Sequence, residues 1–242
     1  MPRGQADYGI YTITEMPAGI SDPGEAAARL GSINVYDRRG WTLWMDDFEG
    51  TVLRWEAVVA GAGVVPVLDA TRAVSGVQCA KLACGAVAGA SSRLRRYFPL
   101  VRLGKIGIEF WLQAKSVVGS YLEVYVNVFD GTNWTQALMR YYPQAGTVYV
   151  LPPIGGALVA SNVFMTQDRM YFLPIKLVVD MDTDYYTRLM VGERDIDISG
   201  YPLANIMATT DRNIGVSFYL EGVAAGTTED YIDNFIFTVS EP

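Results

Sequence analysis

The side chains of this sequence that could do chemistry are mainly carboxylates, because the 242-residue chain contains no histidine. Without histidine there is no Ser-His or Cys-His nucleophilic pair, most zinc sites are excluded, and the commonest general base at neutral pH is missing. Carboxylate chemistry of the kind that glycoside hydrolases use is what remains. The acidic clusters therefore decide whether the chain could be an enzyme.

These clusters do not supply a catalytic pair. Asp180-Met-Asp-Thr-Asp184 has the one-three-five spacing of a calcium-binding loop, but Tyr185 stands where an EF-hand requires glycine and Val191 where it requires glutamate. We predict a hairpin turn at this segment, with an incidental cation site as the alternative. Asp195-Ile-Asp-Ile-Ser199 lacks the two flanking glutamates found on the acidic strand of sandwich-fold glucanases. We therefore predict that the chain is not an enzyme, and a glycoside hydrolase that uses carboxylates alone is the remote alternative.

Most of these acidic side chains fall in a region that we predict to consist of β-strands, because polar and apolar residues alternate from Trp41 onward. In residues 106–112 and 122–128 every second residue is aliphatic or aromatic, which is the pattern of strands with one buried face. Similar segments follow as far as residue 239, separated by turn signals such as Asp130-Gly131. Many short strands limited by turns predict an all-β sandwich or barrel, with one main domain over residues 41–242.

Polar and aromatic residues occupy the outward positions of three of these strands. The set that we expect to form one ligand or interface face comprises Trp111, Gln113, Glu123, Tyr125, Asn127, Tyr219 and Glu221. Aromatic rings stack on the apolar faces of sugars, and carboxylates and amides bond to sugar hydroxyls, so such a face suits a carbohydrate. It suits contact with a protein subunit equally well, and the sequence leaves both alternatives open.

Residues 1–40 differ from the rest and form an N-terminal extended arm that contains one short helix. Asp22 is the predicted N-cap, Glu25 its capping-box partner, and Gly31 the residue that ends the helix. A helix of about two turns is marginal alone in water. The arm must therefore pack on its own sandwich or on a neighbouring subunit, and we expect its assembly contacts at Tyr8, Tyr11, Asp22, Glu25 and Leu30.

Composition excludes several classes of partner. The net charge is −7 and there is no long basic run, which argues against binding to nucleic acid. The basic residues between Arg93 and Lys105 predict a solvated strand edge, with a dock for an acidic partner as the alternative. We find no signal-peptide core and no apolar stretch long enough to span a bilayer, so we expect no membrane partner and synthesis in the cytosol. Cys79 and Cys84 fall on opposite faces of one predicted strand, which favours buried free thiols over a disulfide.

Three short motifs carry a resemblance to a known family. "DDFEG", "ATRAVSGVQCAKL" and "YIDNFIF" occur in that order over residues 44–239 and look like the opening, second and closing strands of galactose-binding-like jelly rolls, such as the family 4 and 9 carbohydrate-binding modules. The resemblance implies a jelly-roll β-sandwich. It also implies a structural calcium held by Glu49 and Asp233, with Asp47 as a further ligand. We expect the chain to require no other cofactor.

A second resemblance concerns the first 50 residues. "RGQADYG" followed by "SDPGEAAARLGSINVYDRRG" is similar to the start of uncharacterised structural proteins of tailed bacteriophages, in which an arm precedes a jelly roll. It implies a non-enzymatic virion protein, a capsid decoration or a head or tail component, assembled in the host cytoplasm. Its partners would be copies of itself and other virion proteins, with glycans as further partners. A carbohydrate-binding module or adhesin is the alternative.

Overall fold

The computed structural model describes residues 36–37, 39–99, 104–115, 117–153, 155–163, 171–207 and 212–242. These residues form strands and contain no helix, and hence none that could cross a membrane. The strands are β1 (Trp41–Asp46), β2 (Glu56–Ala60), β3 (Gly63–Asp69), β4 (Cys79–Cys84), β5 (Ser91–Pro99), β6 (Lys105–Lys115), β7 (Tyr121–Phe129), β8 (Asn133–Tyr142), β9 (Thr147–Val150), β10 (Ala157–Ala160), β11 (Leu173–Asp180), β12 (Tyr185–Val191), β13 (Arg194–Asp197), β14 (Ala204–Met207), β15 (Asn213–Glu221) and β16 (Thr228–Val239).

The strands make two antiparallel sheets that pack face to face. Sheet A has the order β13-β12-β11-β6-β16-β4-β3, with β1 also paired to β16. Sheet B has the order β10-β9-β8-β7-β15-β5-β2, with β14 also paired to β8. The prediction of an all-β sandwich is confirmed, and so is the hairpin turn at residues 180–184, which joins β11 to β12. The predicted helix and the arm contacts at Tyr8, Tyr11, Asp22, Glu25 and Leu30 lie outside the described residues.

Alternation along the strands builds the core between the sheets. The aliphatic residues of β6 and β7, such as Ile108 and Val126, are almost completely buried, as predicted. Trp55, Phe218 and Phe235 meet at the centre, with ring centroids between 4.9 and 5.9 Å apart. Each large apolar side chain buried in this way contributes about 1.5–3 kcal/mol to stability.

Several strands that follow one another along the chain lie in opposite sheets. β4, β5, β6 and β7 belong to sheets A, B, A and B in turn. The outward residues of two consecutive strands can therefore point to opposite sides of the molecule, which decides where the predicted site residues lie.

A cluster of buried charged side chains lies on the outer face of sheet A. The ammonium group of Lys176 on β11 lies 2.8 Å from Asp37 Oδ2 and 2.7 Å from Glu241 Oε1, and it donates to the carbonyl oxygen of Arg39 at 3.0 Å. Arg188 on β12 contacts the same two carboxylates at 3.0 Å. Residues 36–37 and 39–40, just before β1, are thereby held on the sandwich of their own chain.

The cluster stabilises the fold only as a complete set. Burial alone would raise the pKa of Asp37, but the ammonium of Lys176 and the guanidinium of Arg39 together more than offset this and hold the pKa below its usual value. A buried charge whose partner is removed costs far more than an exposed one. Asp37 therefore matters mainly because it compensates Lys176 and Arg188.

We expect Asp37→Ala to lower the free energy of unfolding by about 3 kcal/mol, because it leaves two buried cations short of a partner. Urea unfolding followed by tryptophan fluorescence measures the change. Asp195→Ala is the control, since its ion pair with Arg39 is long at 3.5 Å and exposed, and surface pairs contribute less than about 1 kcal/mol. Equal losses in the two variants would contradict the role given to the cluster.

Asp230 on β16 is a buried carboxyl group that points into the sandwich. It pairs across the sheet with Ala114 and Leu82, and its Oδ2 has no hydrogen-bond partner in the part of the chain that the structure describes. Burial raises its pKa from the ordinary value of 3.8 to about 8. The folded protein therefore holds this proton up to a higher pH than the unfolded chain does.

The sign of the resulting pH dependence follows from linkage. Below pH 3.8 Asp230 is protonated in both the folded and the unfolded state, and its buried carboxyl group then costs the folded state least. As the pH rises toward about 8, the unfolded chain loses this proton first, and the free energy of unfolding falls. We expect Asp230→Asn to flatten this decline, so that the variant gains stability relative to the wild type between pH 4 and about 8. Denaturant unfolding at a series of pH values tests this. Parallel pH profiles for the two proteins would contradict it.

Candidate functional site

The outer face of sheet B carries the residues of β5, β15, β7 and β8 that point away from the core. Antiparallel pairing aligns them into rows that cross the strands. From one end of the face to the other, the rows are Pro99, Asn213, Phe129 and Trp134; then Tyr97, Gly215, Asn127 and Gln136; then Arg95, Ser217, Tyr125 and Leu138; then Arg93, Tyr219, Glu123 and Arg140.

A groove of about 430 Å³ runs over these rows. The small residues Gly215 and Ser217 of the central strand β15 lie at its bottom, and both are buried. A Cβ atom added at Gly215 would lie 3.2 Å from the ring of Tyr97, which is tighter than ordinary contact. The groove therefore exists because the middle strand carries small side chains where its neighbours carry large ones.

Two aromatic rings and two amides form the walls of the groove. Tyr97 is half exposed and Trp134 is partly exposed, so both rings are open to a ligand. The side-chain amide of Gln136 donates to Asn127 Oδ1 at 2.9 Å. This bond orients both amides and leaves each with a second polar atom for a ligand.

Two arginines line the groove, and they differ in their partners. The guanidinium of Arg93 lies 5.1 Å from the ring centroid of Tyr125 and 5.3 Å from that of Tyr219. Arg95 instead binds Glu56 through two nitrogens, at 3.0 and 2.7 Å, in a bidentate ion pair. The charge of Arg95 is therefore compensated within the protein, while Arg93 is held by aromatic rings.

The acidic residues near the groove are engaged by neighbouring side chains. Glu123 accepts a hydrogen bond from Arg140 Nε at 2.8 Å and another from the hydroxyl of Tyr125. Burial, together with the hydrogen bond to Glu123, raises the pKa of Tyr125, so this tyrosine stays a neutral donor at physiological pH. Glu221 accepts from Tyr219 at 3.3 Å and from Tyr121. Among the described residues that line the groove there is no carboxylate.

The seven residues that the sequence predicted to share one face lie on two different sheets. Glu123, Tyr125, Asn127, Tyr219 and Glu221 share the outer face of sheet B, as expected. The assignment of Trp111 and Gln113 to the same face is wrong, because both belong to β6 in sheet A. Trp111 packs edge-on against Tyr36, with ring centroids 6.5 Å apart, and Gln113 is buried. Alternation distinguishes inward from outward residues, but it does not say to which sheet a strand belongs.

Other groove residues were absent from the predicted face. Arg93 and Arg95 were assigned to a strand edge, which is wrong because β5 lies between β15 and β2. Tyr97 follows in the same alternation, and Trp134 and Gln136 alternate with buried residues on β8. The period-two pattern of these strands was a signal that could have found them.

The two acidic motifs that resembled a calcium site meet at the loop 74–78. Asp233 Oδ2 accepts from the backbone N–H of Val74 at 2.7 Å, and Oδ1 accepts from that of Asn234 at 2.8 Å. Glu49 Oε1 accepts from the N–H groups of residues 77 and 78 at 2.9 and 3.0 Å. At Gly76, where φ is +68°, an added Cβ would lie 2.3 Å from the Glu49 carboxyl carbon. The carboxylates of Glu49 and Asp233 thus clamp this loop from two sides.

Calcium at this position stays a prediction. Asp47 is exposed and accepts from the N–H of Glu49 at 3.1 Å. The described residues contain no group of three or more metal-ligating side chains placed to hold an ion. Burial raises the pKa of Asp233 to about 6, although its backbone hydrogen bonds oppose the shift. The hydrogen-bonded clamp is the role for which the structure provides contacts.

We expect Asp233→Ala to lower the free energy of unfolding by about 1–3 kcal/mol, because the buried N–H group of Asn234 and the partly buried one of Val74 lose their acceptor. The same loss should appear with and without a chelator in thermal melting. Asp47→Ala, which removes an exposed carboxylate, is the control and should change stability little. A wild-type melting temperature that falls in chelator and recovers with added calcium would show that the carboxylates hold the ion instead.

Comparison with known protein families and with curated proteins yields no match. Among solved structures, an endo-β-1,4-glucuronan lyase from the fungus Trichoderma reesei is similar, with 12% identity, a TM-score of 0.51, and coverage of 82% of this chain and 96% of the lyase. The cellulose-induced protein Cip1 has 13% identity and a TM-score of 0.48, with coverage of 81% and 96%. A sialidase has 11% identity and a TM-score of 0.45 over 69% of this chain, which spans only 16% of the sialidase.

The TM-score of 0.51 with the lyase shows a shared fold. The similarity to the lyase places the chain among jelly-roll-like sandwiches of two antiparallel sheets. The comparisons add nothing to the predicted bacteriophage origin, which stays a prediction.

Proposed function

We propose that this protein binds carbohydrate chains through the groove on the outer face of sheet B. The observation that carries the proposal is the combination of accessible rings, Tyr97 and Trp134, with the oriented amides of Asn127 and Gln136 over a floor of small residues. An aromatic ring offers a flat apolar surface to the C–H face of a sugar. Amide groups offer the paired donors and acceptors that its hydroxyls require.

The shape of the groove suits a chain rather than an enclosed small molecule. Its lining comes from four adjacent strands, which lie about 4.8 Å apart, so it spans about 14 Å. The residues stand on paired strands of a packed sheet, so their relative positions are fixed before a ligand arrives. Preorganisation of this kind lowers the entropy that binding must overcome.

Binding is better supported than hydrolysis by a pair of carboxylates. The groove-lining residues of the described chain include no aspartate or glutamate. The carboxylates beside the groove, Glu56 and Glu123, are held by Arg95 and Arg140. The predicted virion role depends on the resemblance of the first 50 residues, most of which lie outside the described part, and it is compatible with glycan binding at this groove.

Trp134→Ala should weaken binding of any glycan that a glycan array identifies by about 2 kcal/mol, roughly thirtyfold, because an anchoring aromatic side chain is lost. Titration calorimetry measures the affinity, and a melting curve checks that the variant is folded. Trp41→Ala is the matched control, since Trp41 is 71% exposed on β1 of sheet A and should leave the affinity unchanged. An array without any bound glycan, or equal effects of the two variants, would overturn the proposal.

A further inference from the structure

We infer that the groove selects acidic glycans, chains that contain uronic acid units, with Arg93 as the residue that binds the sugar carboxylate. The inference rests on the proposed function and names its ligand class. The protein has a net charge of −7, yet the charged residues that line the groove in the described structure are two arginines.

Arg93 is the arginine whose charge is available. The described residues offer it no ion pair, and its Nε is buried without a hydrogen-bond partner, so the terminal nitrogens of its guanidinium are the donors that could meet a ligand. Arg95 and Arg140, in contrast, each bind a glutamate. An arginine without an acidic partner beside an open groove can accept the carboxylate of a ligand without first breaking a bond inside the protein.

The tyrosines on either side hold Arg93 ready for that role. Tyr125 and Tyr219 contact the guanidinium through their rings, which uses no N–H donor. A guanidinium offers five N–H donors in a planar fork, and the fork matches the two oxygens of a carboxylate. The rings therefore restrict the side chain and leave the N–H donors of its two terminal nitrogens for a ligand.

The surroundings of Arg93 specify that the anion belongs to a sugar. Tyr97 lies on the same strand and lines the same groove, and Asn127 lies one strand beyond Gly215. The anion-binding group, the stacking ring and the hydroxyl-binding amide are thus within one short groove. A uronic acid unit is a ligand that presents a carboxylate, a sugar face and hydroxyls together.

Arg95 is a second cation in the groove, and its charge is compensated by the ion pair with Glu56. Glu56 is about half exposed and belongs to β2, at the end of sheet B. Removing its charge would release the guanidinium of Arg95 toward the groove. Glu56→Gln should therefore strengthen the binding of an acidic glycan, whereas Arg93→Gln should weaken it.

The test compares oligosaccharides of 1,4-linked glucuronate, galacturonate and mannuronate with their methyl esters, in which the negative charge is removed by adding one methyl group to each carboxylate. We expect the wild type to bind at least one acid about tenfold more tightly than its ester, since a hydrogen bond to a charged group contributes about that much. Arg93→Gln should reduce the affinity for the acid to that for the ester and leave the ester unaffected. Glu56→Gln should improve the affinity for the acid.

The outcomes separate the inference from the proposed function. Equal affinity of the wild type for acid and ester, or an array in which only neutral glycans bind, would overturn the inference and leave carbohydrate binding intact. No binding to any glycan would overturn both. If Arg93→Gln does not fold, the wild-type comparison of acid with ester and the Glu56→Gln variant still decide the matter.

Discussion

The packing of Phe218 between the two sheets fixes the position of the outer face of sheet B, which carries the groove. Its ring meets Phe110 and Phe235 of sheet A at centroid distances of 4.9 and 5.9 Å. Because side chains alternate along a strand, the burial of Phe218 forces Ser217 and Tyr219 to the opposite side of β15. The packing of the core therefore determines which residues of β15 line the groove. A one-residue slip of β15 would place its polar residues in the interior.

The two outer faces of the sandwich have opposite characters. On sheet A, buried ion pairs around Lys176 join the segment before β1 and the residue Glu241 to the strands, so much of that polar surface is covered by the chain itself. On sheet B, arginine and tyrosine side chains line an open groove. The same kinds of residue thus stabilise the fold on one face and remain accessible on the other.

The sequence patterns predicted which residues of a strand point inward and which point outward. They did not predict which sheet a strand joins, because that depends on pairing with strands far away along the chain. The inward positions of Val126 and Phe218 and the outward positions of Tyr125 and Tyr219 follow from a period of two, which a single strand sets locally. The separation of Trp111 from Tyr125 depends on which sheet each strand joins, and no local pattern contains that information.

The same reason accounts for two other features that the sequence did not predict. Lys176 was part of a predicted strand, but its carboxylate partners lie 139 and 65 positions away along the chain, at Asp37 and Glu241. Glu49 and Asp233 were singled out together as calcium ligands, which stays a prediction, whereas their hydrogen bonds to the backbone N–H groups of the loop between them were not predicted. Long-range hydrogen bonds of this kind become visible only when the strands are assembled.

The ion cluster on sheet A also determines how the protein can be displayed. Asp37 and Glu241 bind the same ammonium group, so these two residues lie together on the outer face of sheet A, opposite the groove on sheet B. A surface or a fusion partner joined through the C-terminus would therefore lie behind the sandwich. The groove on sheet B would then face away from that partner and stay open to solvent.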